Sequence, residues 1–388
     1  MSEAAGAVPA AGGAVPLISR GQASSGDTPV LELFTPVGGV LADAATVAFQ
    51  VFDASDDTKR ASPVQSPVQV FPDAAGARAP VNTAERWPAG DKLGTGHVVA
   101  RWTPSATEPL GRHELRWFVQ ATLDAPEQVV TVEFDVLAAG AGSYRTVYAR
   151  VSDLRDEGVT VAEASDARLA RLLGFATQFV DRMTGRCFAP RAMTLTLDGS
   201  GGRAQLLGLP IIAVREVKLF LAMPAEVGEL PVTPSFFRVY NRHLTQGLLD
   251  PDDRENPRLE FFHESDLLGV QSTPAASLGL GSLVWLRGPQ NVFVDGLFGY
   301  TDPDGTAVGC TPDLIRHVTK LLVLRELPLM TDTSRREDRQ QRWRIVSERT
   351  RDQGYNLDPL RFQGGIVGNP DIDAILAMYM RPPQIGSA

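Results

Sequence analysis

Cysteine is nearly absent. The 388-residue chain has two, Cys187 and Cys310. That excludes a disulfide framework and leaves too few thiolates for a cysteine-based zinc site. Histidine is scarce as well. None of the five (His97, His113, His243, His263, His317) stands at metal-ligand spacing from another histidine or a cysteine, and His317 reads as a surface or interface residue on a helix. No stretch of about 18 consecutive apolar residues occurs, so no membrane-spanning helix and no membrane partner are expected. The Ala/Gly/Ser-rich start, Met1 to Gly26, lacks the cationic and apolar blocks of a secretory leader, so synthesis and folding in the cytoplasm are expected. An excess of positive charge is also missing: 46 acidic residues outnumber 37 basic ones, for a net charge of −9. This argues against a protein that coats nucleic acid. There is no nucleophile elbow and no zinc-protease motif. Asp198-Gly199-Ser200-Gly201-Gly202 lacks the Lys-Ser/Thr of a phosphate loop and reads as a hairpin turn. The chain is therefore expected not to be an enzyme and to hold no cofactor or metal.

What is present is turn chemistry and strand patterning. Gly (36) and Pro (28) are frequent, and 43% of residues are hydrophobic, which predicts short strands joined by loops. The length suggests more than one domain. Residues 1–27 read as a disordered arm of small residues. Residues 28–138 carry strand-like segments around Val30–Phe34, Thr46–Phe52, Val68–Phe71, His97–Trp102, Glu114–Val119 and Val129–Val136. They predict an all-β, immunoglobulin-like sandwich with Trp102 and Trp117 as core anchors. Residues 139–150 read as a linker.

Residues 151–368 predict an α+β domain with a large β insertion at about 190–300. Ser152 is placed to cap a short turn stopping at Gly158. A strong helix runs from Ser165 to Gly185, with Leu169, Leu172, Leu173, Ala176, Phe179, Val180 and Met183 on one face and Arg168, Arg171, Gln178, Asp181 and Arg182 on the other. A second helix is expected to open with Thr311 as its cap and Pro312 at its first position, and to stop at Pro328. A short final helix starts at Asn369-Pro370, within a terminal segment of 369–388. Two acidic clusters, Asp250 to Glu255 and Asp302 to Asp304, are read as solvated turns, with a cation site as the weaker alternative. An Arg-rich run, Ser334 to Asp352, sets Arg335, Arg336, Arg339, Arg342, Arg344, Arg349 and Arg351 against four acids. Such a run suits phosphates, carboxylates of a neighbouring subunit, or simply solvent.

Several blocks, in order, carry a resemblance: Val180-Asp181-Arg182-Met183-Thr184-Gly185-Arg186-Cys187-Phe188; Asp198 to Gly201; Leu207-Gly208-Leu209-Pro210-Ile211-Ile212; Gly299-Tyr300 followed by Thr311 to Ile315; and Ile345 to Arg349 with Tyr355, then Ile372 to Leu376 with Tyr379. Together, over about residues 150–380, they resemble the head–tail connector (adaptor) family of tailed bacteriophages. The stretch between the helices is longer than in that family, and the N-terminal sandwich lies outside its pattern. The resemblance implies a structural ring, usually of twelve copies, in the neck of the virion. The ring would sit between the portal protein and a tail terminator or stopper, and packaged DNA would pass through it. It implies a portal-binding C-terminal segment, here Ile372, Ile375, Leu376, Tyr379, Arg381 and Pro382, although that short apolar face could instead pack on its own domain. It also places Arg335, Arg336, Arg339, Arg342, Arg344 and Arg349 at a subunit interface or in the channel. A different reading is a surface or secreted β-sandwich binding protein of adhesin type; a third is an enzyme with an accessory sandwich.

Overall fold

The structure is a computed structural model. It describes residues 15–54, 68–69, 92–122, 124–220, 229–241, 252–262, 284–304, 306–327, 347–349, 354–356 and 367–381. It is predominantly β-sheet, with four α-helices among the described residues.

The N-terminal part consists of β1 (Val15–Ser19), β2 (Glu32–Phe34), β3 (Pro36–Val37), β4 (Val40–Leu41), β5 (Thr46–Asp53), β6 (Val68–Gln69), β7 (Lys92–Gly94), β8 (His97–Val99), β9 (Gly111–Gln120), β10 (Gln128–Leu137) and β11 (Tyr144–Val147). One sheet has the order β11-β1-β10-β9-β5-β6 and another β2-β8-β7. Alternate residues of the long strands (Val47, Phe49 and Val51; Leu115, Trp117 and Val119; Val132, Phe134 and Val136) share one core with Leu33, Val98 and Trp102, as a period of two requires. Trp117 is fully buried, and Trp102 lies edge-on to Phe134.

Two expectations fail here. Residues 1–27 are not a disordered arm throughout, because Val15–Ser19 forms β1. This strand runs parallel to β10 (Leu17↔Asp135) and antiparallel to β11 (Leu17↔Tyr144). Every residue of β1 is buried. Ile18 enters the sandwich core, whereas Val15 and Leu17 enter the core around the helices. Residues 139–150 are likewise not a free linker. Gly140 (φ +79°) and Gly142 (φ +94°) make a turn that only glycine adopts readily, and β11 follows it.

The C-terminal part consists of α1 (Val151–Asp156), α2 (Asp166–Thr184), β12 (Arg191–Gly199), β13 (Ala204–Leu206), β14 (Ile211–Phe220), β15 (Glu229–Pro231), β16 (Phe237–Tyr240), β17 (Arg258–Phe261), β18 (Gly288–Phe298), α3 (Asp313–Glu326), β19 (Ser347–Arg349), β20 (Gly354–Asn356) and α4 (Pro370–Tyr379). Helix α2 ends where the sequence says it should, with Gly185 in the left-handed region at φ +68°. The N-cap of α3 is Pro312, one residue after the expected Thr311. Leu169, Leu173 and Val180 of α2 pack with Ile315 and Val318 of α3 and with Ile372 and Leu376 of α4. Ser152 does not cap α1; its N–H and hydroxyl both donate to the buried Asp135, each at 2.9 Å.

In the insertion, β12-β18-β14 form one sheet and β13-β17-β16 another. Asp198 to Gly202 is therefore not a hairpin turn. It carries the chain from one sheet to the next, since β12 pairs with β18 and β13 with β17. A Cβ on Gly199 would stand 1.8 Å from the Leu286 carbonyl oxygen, so the glycine is there for close approach. The two parts of the chain are sewn together. The β3–β4 hairpin joins the insertion's sheet through Val40↔Val214, and Phe34 and Leu41 share a core with Ile212 and Leu297.

Candidate functional site

Several of the sequence blocks that carry the family resemblance, those at 180–188, 207–212, 299–300 and 372–379, meet around one side chain, Tyr300. The left-handed turn at Gly185 ends α2 and directs Arg186 toward the insertion. Its guanidinium lies 4.5 Å over the Tyr300 ring and donates to both oxygens of Glu255, at 3.1 and 2.7 Å. Arg254 is 4.2 Å from the same ring. It donates to Asp252 (2.7 Å from Nη2), to Asp302 (2.8 Å) and to the Thr301 carbonyl (2.6 Å). The Tyr300 hydroxyl donates to Glu255 at 3.2 Å. Backbone bonds tie the motifs further: Tyr300 N–H donates to the Cys187 carbonyl (2.7 Å), and Gly299 N–H to that of Pro210 (2.9 Å).

Behind this charged layer is an aromatic one. Phe188 meets Tyr148, Tyr300 and Tyr379 edge-on, at 5.9, 6.0 and 5.4 Å between ring centres. The Phe188 N–H donates to the Tyr148 hydroxyl (2.8 Å), which donates in turn to Asp181, itself held by Arg191 at 2.7 Å. Burial raises the Asp181 carboxyl above its ordinary value, against the pull of Arg191. Burial also pushes the Cys187 thiol up to about 11 and the Tyr300 phenol well above its usual range. Burial alone would lower Arg254, but hydrogen bonds to Asp252 and Asp302 carry it above its ordinary value. Neither thiol nor phenol is activated as a nucleophile. A cavity of about 210 Å³ opens beside the node, bounded by Gly185, Arg186, Leu207, Leu209, Pro257 and Arg381. The guanidinium groups of Arg186 and Arg254 are matched by carboxylates of the protein itself, so the arrangement is a charge-balanced joint between α2 and the insertion.

The two acidic clusters of the sequence thus converge, through Asp252 and Asp302, on the cation Arg254 rather than lying apart in solvent. Among the described residues no group of three or more His, Cys, Asp or Glu side chains is arranged to hold a metal ion, and no helix is long and apolar enough to cross a membrane. The Arg186–Tyr300–Arg254 layer was not foreseen. Its signal was the pairing of Gly185-Arg186 with Gly299-Tyr300, far apart in sequence.

Of the two expectations for the C-terminal helix, the structure shows the second: its apolar face packs on its own domain. Ile372 and Leu376 are fully buried in the chain's own core, between α2 and α3. Ile375 and Tyr379 are partly buried against the same core, Arg381 borders the cavity, and Pro382 lies outside the described residues. A helix this short gains stability only by burying its apolar face, and the nearest apolar surface is its own domain. The capping expectation holds: the Asn369 side chain accepts from Asp371 N–H at 3.0 Å and from Ile372 N–H. Arg335, Arg336, Arg339, Arg342 and Arg344 lie outside the described residues; Arg349 ends β19, which pairs with β20.

A second polar cluster sits where the sandwich meets the insertion. His97 on β8 is buried and stacked on Phe34, with ring centres 4.4 Å apart. Its Nε2 is 2.8 Å from Glu32, and its Nδ1 is 3.3 Å from Arg215 on β14. Arg145 on β11 holds the other Glu32 oxygen at 2.5 Å, and Arg215 reaches Asp295 on β18 at 3.2 Å. Neither a protein-family model nor a curated protein matches this chain.

Proposed function

We propose that this chain is a structural adaptor of the head–tail connector type in a tailed bacteriophage, without catalytic activity. On this reading its C-terminal part is the connector domain, elaborated by the β insertion. Its N-terminal part is an immunoglobulin-like sandwich added outside the family pattern. Copies form a ring, twelve being the family's usual number, between the portal protein and a tail terminator or stopper in the virion neck. Packaged DNA passes through that ring, which assembles in the bacterial cytoplasm.

One observation carries the reading. Several of the blocks that resemble the family meet at a single joint: Arg186 and Phe188 touch Tyr300, Gly299 bonds Pro210, and Tyr379 lies edge-on to Tyr300. Elements with no structural relation would be scattered over the surface. The joint is ion-paired and aromatic, which suits a rigid part rather than a reacting one. Mass spectrometry of purified virions, followed by imaging of the neck with an antibody fragment against the sandwich, tests the proposal. Label at the neck is expected; a protein absent from particles, or placed on the capsid faces, refutes it.

A further inference from the structure

Helix α2 buries one side in the core and leaves a stripe outside. Arg168, Arg171, Leu172, Phe175, Gln178, Phe179 and Arg182 fall within about 120° of the helix circumference. Phe175 is 65% exposed. Leu172 and Phe179 are only partly buried. Arg171 and Arg182 are exposed, and among the described residues no side chain pairs with the guanidinium groups of Arg168, Arg171 or Arg182. The stripe contains no acid: Asp181, which the sequence pattern put on this side, is turned to Tyr148 and Arg191. A bare phenylalanine ringed by three arginines, on a chain of net charge −9, has the composition of an interface centre.

The same part of the chain offers a complement. The turn between α1 and α2 presents Val161, 73% exposed, beside Asp156, Glu157 and Glu163. Glu163 buttresses the turn by accepting from Thr160 N–H (2.8 Å) and its hydroxyl (3.1 Å). The Asp156 side chain is 74% exposed and stands 3.7 Å from Arg112. Each patch thus has one exposed apolar residue; the first carries arginines unpaired among the described residues, and in the second Glu157 is matched by Lys320 at 2.7 Å, so that Asp156 and Glu163 supply the opposite charge.

We infer that the α2 stripe of one copy receives the α1–α2 turn of a second copy, Phe175 against Val161 and Arg171 toward Asp156. The contact is heterologous, each copy using both patches, so it propagates from copy to copy. This rests on the adaptor reading and names the surface by which its subunits meet.

Light scattering of the full chain at its highest soluble concentration should show self-association that weakens with salt. Phe175→Asp and Arg171→Glu should each give monomers with unchanged melting temperature, since both residues are exposed. Arg171→Glu combined with Asp156→Arg should restore association. Two proteins carrying Cys310→Ser, one with Phe175→Cys and the other with Val161→Cys, should give a disulfide-linked mixed dimer on oxidation. A monomeric wild type, oligomers indifferent to Phe175→Asp, or no mixed dimer would each overturn the inference. The two readings fail separately. Self-association through these patches in a protein absent from virions would overturn only the adaptor reading. Phe175→Asp particles with a normal neck would overturn only this one.

Discussion

At the scale of single residues, His97 and Arg254 show how buried charge is handled. The short contacts of His97 fix its protonation. Nε2–H donates to Glu32, and Nδ1 accepts from Arg215, so a proton on Nδ1 would set donor against donor. Burial lowers the imidazole below its ordinary 6.5, with Glu32 pulling upward and Arg215 and Arg145 pushing down. A histidine held neutral in the fold but titrating normally when unfolded stabilises the protein above about 6.5. That contribution is lost as pH falls through this value toward the depressed folded one. The melting temperature should therefore fall between pH 7.5 and 5.5, and His97→Asn should flatten that slope while lowering stability throughout; a parallel slope in the variant would refute the assignment. Arg254 poses a sharper case. Its removal leaves Asp252, only 12% exposed, without its cation, which costs about 3 kcal/mol or more. Tyr300→Phe removes one hydrogen bond, worth about 1 kcal/mol. In chemical denaturation, Arg254→Ala should shift the midpoint far more than Tyr300→Phe, and equal shifts would show that the ion-paired layer contributes little.

Among the elements, α4 and β1 have most to say. Helix α4 carries the features legible in the sequence: the Asn369 cap, Pro370 in the first turn, and apolar residues at helical spacing. The sequence does not reveal the surface on which that face lands. Ile372 and Leu376 are sealed between α2 and α3, and burying two such side chains stabilises by about 3–6 kcal/mol. Deleting residues 369–388 should therefore lower the melting temperature markedly and raise binding of a hydrophobic dye. A truncated protein as stable as the full chain would return α4 to the role of a partner-binding arm. Strand β1 has no signature in the sequence because an apolar run of four residues shows no alternation when both faces are covered. Its Val15-Pro16-Leu17-Ile18 stretch lies among small residues typical of disorder, and only its neighbours β10 and β11 give it a place.

For the whole molecule, the boundary between the N-terminal and C-terminal parts is the revealing feature. A sandwich of residues 28–138 standing alone would melt by itself. Instead β1 serves two cores, β11 extends the sandwich sheet into the approach to α1, and β4 pairs with β14 of the insertion. The Glu32–His97–Arg215–Asp295 chain crosses the same boundary. Calorimetry of the full chain should accordingly show one main transition. Two well-separated transitions, with the first abolished by deleting the sandwich, would mean that these bridges are too weak to couple the parts.

By itself the sequence determined the local features: strands of period two in the first half, helices α2 and α4 with their caps, Trp117 in a core, and the want of ligand spacing among cysteine and histidine. These follow from patterns a few residues long, where backbone geometry and side-chain period act directly. Only the tertiary structure decided what depends on distant partners. Val15–Ser19 became a strand because two cores close over it. Asp198 to Gly202 changed from hairpin to crossover because β12 found β18, nearly a hundred residues away. The acidic turns at 252 and 302 became ligands of Arg254, because the fold set a buried guanidinium between them and a buried charge must be paired.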